Sequence, residues 1–283
     1  MRASPGDVTV VTVAANSGEA LLHWRDAWTP SGCRLLVADN GSSDQSPAKS
    51  GVPVIQTGGN MGFGAGVNAA VRACETPLIL VTNPDTLPET PSSLPALLGF
   101  HREGTLSGAA LLDGAGNLAA SGGRWPTVQW VAAQVFRRAR PLWNGLPPNW
   151  IQGALILAER SLFISELGGF HRDYPLYFED VDLCARAHAR SVETRFCEGA
   201  RFVHREGTGA PPAGAVRLAC FHWGMWKWFD LNRPGLSGTV RWLVMLKCLV
   251  RMSVFPASSP ERQGYALALT ALRSRISPTL PSL

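Results

Sequence analysis

No two of the six cysteines (33, 74, 184, 197, 220 and 248) have the CxxC spacing. Scattered thiols argue against a disulfide framework or a zinc site, and they fit a reduced, cytosolic protein. No secretory leader is expected either. The apolar stretch VTVVTVAA, residues 8–15, is too short for a signal h-region with its flanks. Charge is sparse, at 17% of 283 residues, while 46% are hydrophobic. A chain of that length and composition can bury a substantial core, which excludes disorder as the default. Internal repeats and low-complexity tracts are also missing. The most apolar run, residues 236–255, is interrupted by Arg241, Lys247 and Arg251. A spanning helix wants about 20 predominantly apolar residues, so an interfacial amphipathic helix is expected there instead. Acidic residues are nearly absent from the last quarter. Residues 216–283 hold two, against nine Lys and Arg, while residues 1–215 hold 19 against 17. The whole net charge of +5 therefore comes from the tail, which also carries Trp223, Trp226, Trp228 and Trp242. Basic and tryptophan-rich together suggest an anionic membrane surface or a nucleic acid.

What is present reads as alternation. Residues 8–15 form a buried strand, and a helix follows over about 19–28. Strands are expected at 34–38, 54–56 and 78–82, with a helix over 64–73 after a glycine-rich turn. Strands alternating with helices mean a mostly parallel sheet with crossover helices. Ligands in such sheets bind beyond the carboxyl ends of the strands. The polar clusters Asn16-Ser17, Asp39–Asp44 and Asn83–Asp85 fall at those ends. Further strands are expected at 153–158, 194–197 and 201–203, and a short helix at 159–165. The stretch 104–149, rich in Gly, Pro, Trp and Arg, reads as a loop-rich insert. From about 215 onward the pattern is helical.

Several short motifs carry chemistry. VADNGSSD (37–44) ends a strand; Asp39 could accept from a base N–H or simply make an Asx turn. GGNMGFGAGVN (58–68) is glycine-rich but is neither GxGxxG nor a Walker A loop. In NPD (83–85), Pro84 stiffens the turn that presents Asp85. A lone carboxylate there suits a hard divalent cation that shares a diphosphate, or else a turn or cap. His204 ends a strand. YFEDVDLCAR (177–186) packs Glu179, Asp180 and Asp182 behind two aromatics. That cluster is either a dipole-favoured helix start or a site worth the cost of crowded carboxylates.

In this order, VADNGSSD, NMGFGAGVNAAV, LVTNPD, GALILAERSLFISELGGF, YFEDVDLCAR and ARFVH resemble the family 2 glycosyltransferases of GT-A fold, in particular their rhamnosyltransferase-like branch. The resemblance covers about residues 8–208. It implies an α/β, Rossmann-like GT-A domain (1–215) with a helical extension (216–283). It also implies a nucleotide-sugar donor (dTDP- or UDP-linked), a divalent metal (Mg²⁺ or Mn²⁺) and an inverting transfer. By the same resemblance Asp39 contacts the base, Asn60 and Asn68 line the donor pocket, and Asn83 lies near the ribose. Asp85 binds metal with His204 near the metal and diphosphate, and Asp180 is the catalytic base with Glu179 orienting the site. A glycan or polyprenyl-diphosphate-linked acceptor at the inner face of the membrane would suit the basic tail, for which a helical subdomain with a solvated basic face or a dimer interface is the alternative.

Two departures matter. The start reads TVAANSG where the family often has a tyrosine, and GFHR stands where GFDE is common. Two other functions are weighed. A nucleotidyltransferase would want a basic residue in 58–68, and none is there. A nucleic-acid-binding protein would use the tail, but the acidic clusters upstream would repel phosphate, so no nucleic-acid partner is expected.

Overall fold

The structure, a computed structural model, describes residues 3–135, 148–205 and 214–283. In chain order its regular elements are β1 (Val8–Ala14), α1 (Gly18–Trp28), β2 (Arg34–Asp39), α2 (Ser46–Ser50), β3 (Val54–Gln56), α3 (Phe63–Ala73) and β4 (Leu78–Thr82). Then come β5 (Thr86–Pro88), α4 (Ser93–Phe100), β6 (Thr105–Leu112), β7 (Gly122–Gly123), α5 (Val128–Val135), β8 (Trp150–Ile151) and β9 (Leu155–Glu159). The last are α6 (Glu179–Ala189), β10 (Glu193–His204), α7 (Gly214–Asn232), α8 (Pro234–Val254) and α9 (Pro260–Ser274).

Eight strands form one sheet in the order β3-β2-β1-β4-β9-β6-β10-β5. The β3-β2-β1-β4 half is parallel, as is the β6–β10 pair. Strand β9 runs against both of its neighbours, and β5 runs against β10. The reversal of β9 has a use. Leu155 pairs with Thr82, so the start of β9 lies where β4 ends. Residues just before β9 therefore share an edge with Asn83–Asp85.

Both faces of the sheet are covered, so the strands read as unbroken apolar runs rather than alternating ones. Val8, Val10 and Ala14 pack on α1 and α4, whereas Val11 and Val13 pack on the opposite face. The second face meets α3, α6 and the three C-terminal helices, because Ala70, Leu183, Trp228, Val244 and Leu272 belong to the same cluster as Val11. The core thus runs unbroken across the expected boundary at 215/216.

Three sequence expectations need correction. Thr105–Leu112 is not a loop but a wholly buried central strand, and α5 follows it. Residues 136–147 of the expected insert lie outside the described residues. The two short strands expected at 194–203 are one strand with a register shift between Cys197 and Arg201. Trp223, Trp226 and Trp228 are each 2% exposed, so three of the four tail tryptophans fill the core; only Trp242, at 62%, faces out. No described helix is long and apolar enough to cross a membrane. The six cysteines are free, and five are buried: Cys74 after α3, Cys184 in α6, Cys197 in β10, Cys220 in α7 and Cys248 in α8.

Candidate active site

A cavity of about 440 Å³ opens beyond the carboxyl ends of β1 and β4. Ligand pockets typically measure about 300–1,000 Å³. Val13 and Asn40 line it from the ends of β1 and β2, and Asn83 and Asp85 from the turn after β4. Gln152 and Gly153 enter just before β9, His204 from the end of β10, and Glu179 and Asp180 from the start of α6.

Helix α6 begins where the acids begin. Glu179, Asp180 and Asp182 occupy its first turn, where the helix dipole favours negative charge. Tyr177 and Phe178 precede it with φ of 68° and 70°. Two bulky residues in the left-handed region are strained, and such strain persists only where the surroundings enforce it. Helix α7 does so. Its Gly224 lies so close that a Cβ there would come within 2.9 Å of Tyr177 O and of the Phe178 ring.

The three carboxylates have different tasks. Asp182 is 1% exposed and faces inward. It accepts from Arg186 Nε at 2.7 Å and from Asn232 Nδ2 at 3.0 Å, and Arg186 in turn donates to Leu167 O and Gly169 O. This pair clamps α6 to α7 and to the 167–169 turn. Asp180 points at the cavity, its Oδ2 accepting from Gly153 N at 2.9 Å and its Oδ1 from Val181 N at 2.8 Å. Glu179 Oε2 is buried without a hydrogen-bond partner among the described residues. Burial raises both carboxyls above their ordinary values, Glu179 further, with the neighbouring Asp180 charge adding to its shift. Two backbone N–H donors stabilise the Asp180 anion and Glu179 lacks them, so the pair's first proton belongs on Glu179 and the negative charge on Asp180.

Across the cavity, His204 Nε2 lies 3.3 Å from Asp85 Oδ1 and 3.1 Å from Asn83 Nδ2. Register explains the meeting, since His204 pairs with Thr86 across β10 and β5. An unprotonated imidazole nitrogen and a carboxylate oxygen at that separation repel unless a proton or a cation lies between them. Adjacent ligands of a small octahedral divalent cation stand about 3 Å apart. Asp85 and His204 fit such an ion as two ligands. No group of three His, Cys, Asp or Glu among the described residues is placed to hold one. The rest of its shell would come from substrate oxygens and water, as is usual for Mg²⁺ with phosphates.

The other expected residues divide. Asn60 lines the cavity, and its Nδ2 donates to Pro281 O at 3.0 Å. Asn68 is not among the lining residues. Its amide is spent on the Phe170 backbone, accepting from N at 2.9 Å and donating to O at 2.8 Å. That double bond ties α3 to the turn before α6. Asp39 is also outside the lining, and its Oδ1 accepts from Ser42 N at 2.8 Å, an Asx turn. The asparagine that does reach the cavity is the next one, Asn40. Its Nδ2 donates to Gly62 O, and its Oδ1 accepts from Thr57 Oγ1, each at 2.9 Å. Gln152 and Arg217 line the cavity and were not singled out in the sequence. Gln152 stood one position before the expected strand, and Arg217 comes from the tail, where only net charge was read.

No family model matches the chain. It is 27% identical over a 267-residue alignment to the N-acetylglucosaminyl-diphospho-decaprenol L-rhamnosyltransferase of Mycobacterium tuberculosis, covering 81% of this chain and 85% of that one. Among solved structures it superimposes on a mannosyltransferase from Pyrobaculum calidifontis with a TM-score of 0.56, at 16% identity, over 97% of this chain and 84% of the other. Glucosyl-3-phosphoglycerate synthase from Mycobacterium tuberculosis gives 0.53 at 18% identity, over 80% and 79%. The chain has the GT-A fold of these glycosyltransferases and is similar in sequence to a rhamnosyltransferase. The chain carries its cavity where an open α/β sheet places ligands, at the strands' carboxyl ends.

Proposed function

We propose that the chain transfers a sugar, with inversion, from a nucleotide-sugar donor to a hydroxyl of a lipid-linked acceptor used in cell-envelope glycan synthesis. One observation carries the reading. A backbone-stabilised carboxylate, Asp180, and the Asp85–His204 pair open onto the same cavity at the strands' carboxyl ends. The name of the mycobacterial relative supports rhamnose as the sugar and a polyprenyl-diphosphate-linked acceptor. The donor would then be a dTDP- or UDP-sugar. Two structures of the same fold hold Mn²⁺, one with GDP-mannose and one with UDP, which agrees with a divalent ion at Asp85 and His204.

In this mechanism the two backbone N–H groups hold Asp180 ionised and fixed in direction. It takes the proton from the acceptor hydroxyl as that oxygen attacks the anomeric carbon from the face opposite the leaving group. Such general-base help is worth about 10² to 10⁴ in rate. Glu179, protonated beside it, leaves a single negative charge at the attack site. A divalent ion between Asp85 and His204 would neutralise the departing nucleoside diphosphate. Asn83 and Asn60 offer amides to the donor's polar edges. The outward face of α8, which exposes Trp242, Leu249, Val250 and Val254, would rest on an anionic bilayer that carries the acceptor. A cytoplasmic enzyme at the inner membrane face follows from this reading.

Calorimetric titration with UDP-, dTDP- and GDP-sugars, with and without Mn²⁺, tests it. One nucleotide should bind only with metal, and Asp85→Asn should weaken that binding at least about 10-fold. Asp180→Asn should bind the donor normally and lose transfer by about 10² or more. Metal-independent binding, or full activity in Asp180→Asn, would overturn the assignment.

A further inference from the structure

The cavity is dominated by acids. Asp85, Glu179 and Asp180 line it, and among the described lining residues the only Lys or Arg is Arg217. Arg217 stands in the first turn of α7, at the positive end of the helix dipole, where a cation costs stability rather than adding to it. It forms no ion pair among the described residues. Among the described residues its one hydrogen bond is from Nε to Tyr177 Oη, at 2.8 Å, with neither Nη group of the fork engaged there. Tyr177 is one of the two strained residues before α6, and Phe221, one turn further along α7, packs edge-on against it with ring centroids 6.1 Å apart. The guanidinium is therefore held in place by a neutral hydroxyl, beside an apolar wall, facing a cavity whose other charges repel anions. No carboxylate among the described residues pairs with it.

The proposed reaction brings two diphosphates to this cavity, the donor's and the acceptor's. Asp85 and His204 would hold one cation, whose charge would serve the leaving group. The acceptor's diphosphate then needs a separate positive partner. We propose that Arg217 is a second anion subsite of the cavity, taking a phosphate of a diphosphate-linked acceptor while Tyr177 and Phe221 flank it. A guanidinium fork matches two phosphate oxygens at once. The inference rests on the transferase reading and adds to it the residue that selects a phosphorylated acceptor over a plain glycan.

Calorimetry on wild type, Arg217→Gln and Arg217→Lys separates the two phosphate sources. One arm uses whichever of UDP, dTDP and GDP binds most tightly with Mn²⁺, and the other uses farnesyl-diphospho-N-acetylglucosamine. Wild type should bind both probes. Arg217→Gln should lose about 10- to 100-fold in affinity for the farnesyl compound, with nucleoside diphosphate binding unchanged within about twofold. Arg217→Lys should recover part of the loss, since charge is kept and the fork is not. In turnover the change should fall on the acceptor KM and leave kcat nearly alone. Equal losses for both probes would make Arg217 a donor contact and overturn the proposal. So would unchanged farnesyl binding in Arg217→Gln, or no farnesyl binding by wild type. Failure of every nucleoside diphosphate to bind wild type would instead sink the transferase reading, and it is read in the other arm.

Discussion

Glu179 and Asp180 are adjacent, buried and alike in chemistry, yet their hydrogen bonding differs completely. Asp180 has two backbone donors, and Glu179 Oε2 has no partner among the described residues. Both folded-state pKa values lie above the unfolded ones, so the stability associated with this pair is fully present at acid pH. It is lost as pH rises through the raised folded values. Glu179→Gln removes the group that is raised further and should flatten that loss, read as the urea midpoint against pH. The same variant should leave the acid limb of kcat/KM in place, because Asp180 ionises first, beside a Glu179 that is still protonated. A limb moved to lower pH would mean that Glu179 is already charged when Asp180 ionises. At this scale the sequence was partly legible. Asp85, His204 and Asp180 sit at strand ends or a helix start, and local pattern locates those places. Asp39 and Asn68 were read as reaching the ligand, yet both side chains hold backbone: Asp39 makes the local Asx turn with Ser42 that its motif also allowed, and Asn68 is held by Phe170, a partner distant in sequence. Arg217 was missed for the same reason, because nothing near it in sequence marks it as a neighbour of Tyr177.

Among the elements, β6 shows where pattern fails. TLSGAALL has none of the β-branched run of β1, yet all eight residues are buried. Its small residues are there to admit a neighbour. A Cβ on Gly108 would come within 2.8 Å of the Ile151 side chain. Close packing, not propensity, makes this segment a strand. Helix α8 fails differently. Its three basic residues were read as a polar face, but Lys247 is 6% exposed and Arg241 is turned onto the carbonyls of Leu272 and Arg273. Burial, with Arg251 nearby, lowers the Lys247 pKa to about 8. The unfolded lysine holds its proton more tightly, so the penalty is full below about 8 and fades as pH rises toward 10.5. Lys247→Met should therefore stabilise the fold by roughly 3 kcal/mol at neutral pH, with a gain that shrinks in alkaline buffer. Thermal melts at pH 7 and 10 measure both. An equal gain at the two values would show that the ammonium is not the cause.

Over the whole molecule, the tail's composition was legible and its disposition was not. Three tryptophans that suggested an interface lie in the core because α7 packs on α6 and on two further helices. Removing residues 236–283 would uncover that core, so a point change tests the bilayer contact better. Trp242→Ser should weaken binding to phosphatidylglycerol vesicles roughly 10-fold while leaving transfer to a soluble acceptor intact. Unaltered vesicle binding would remove α8 from the contact. The buried thiols give the molecule a use as its own instrument. Burial holds Cys74 near 11 and Cys184, Cys220 and Cys248 near 12, so none of these is a nucleophile at neutral pH while packed. Each turns reactive only when its surroundings open. Alkylation rates followed peptide by peptide would clock the breathing of the end of α3, the helix that carries the acids and the C-terminal helices separately, with no label introduced.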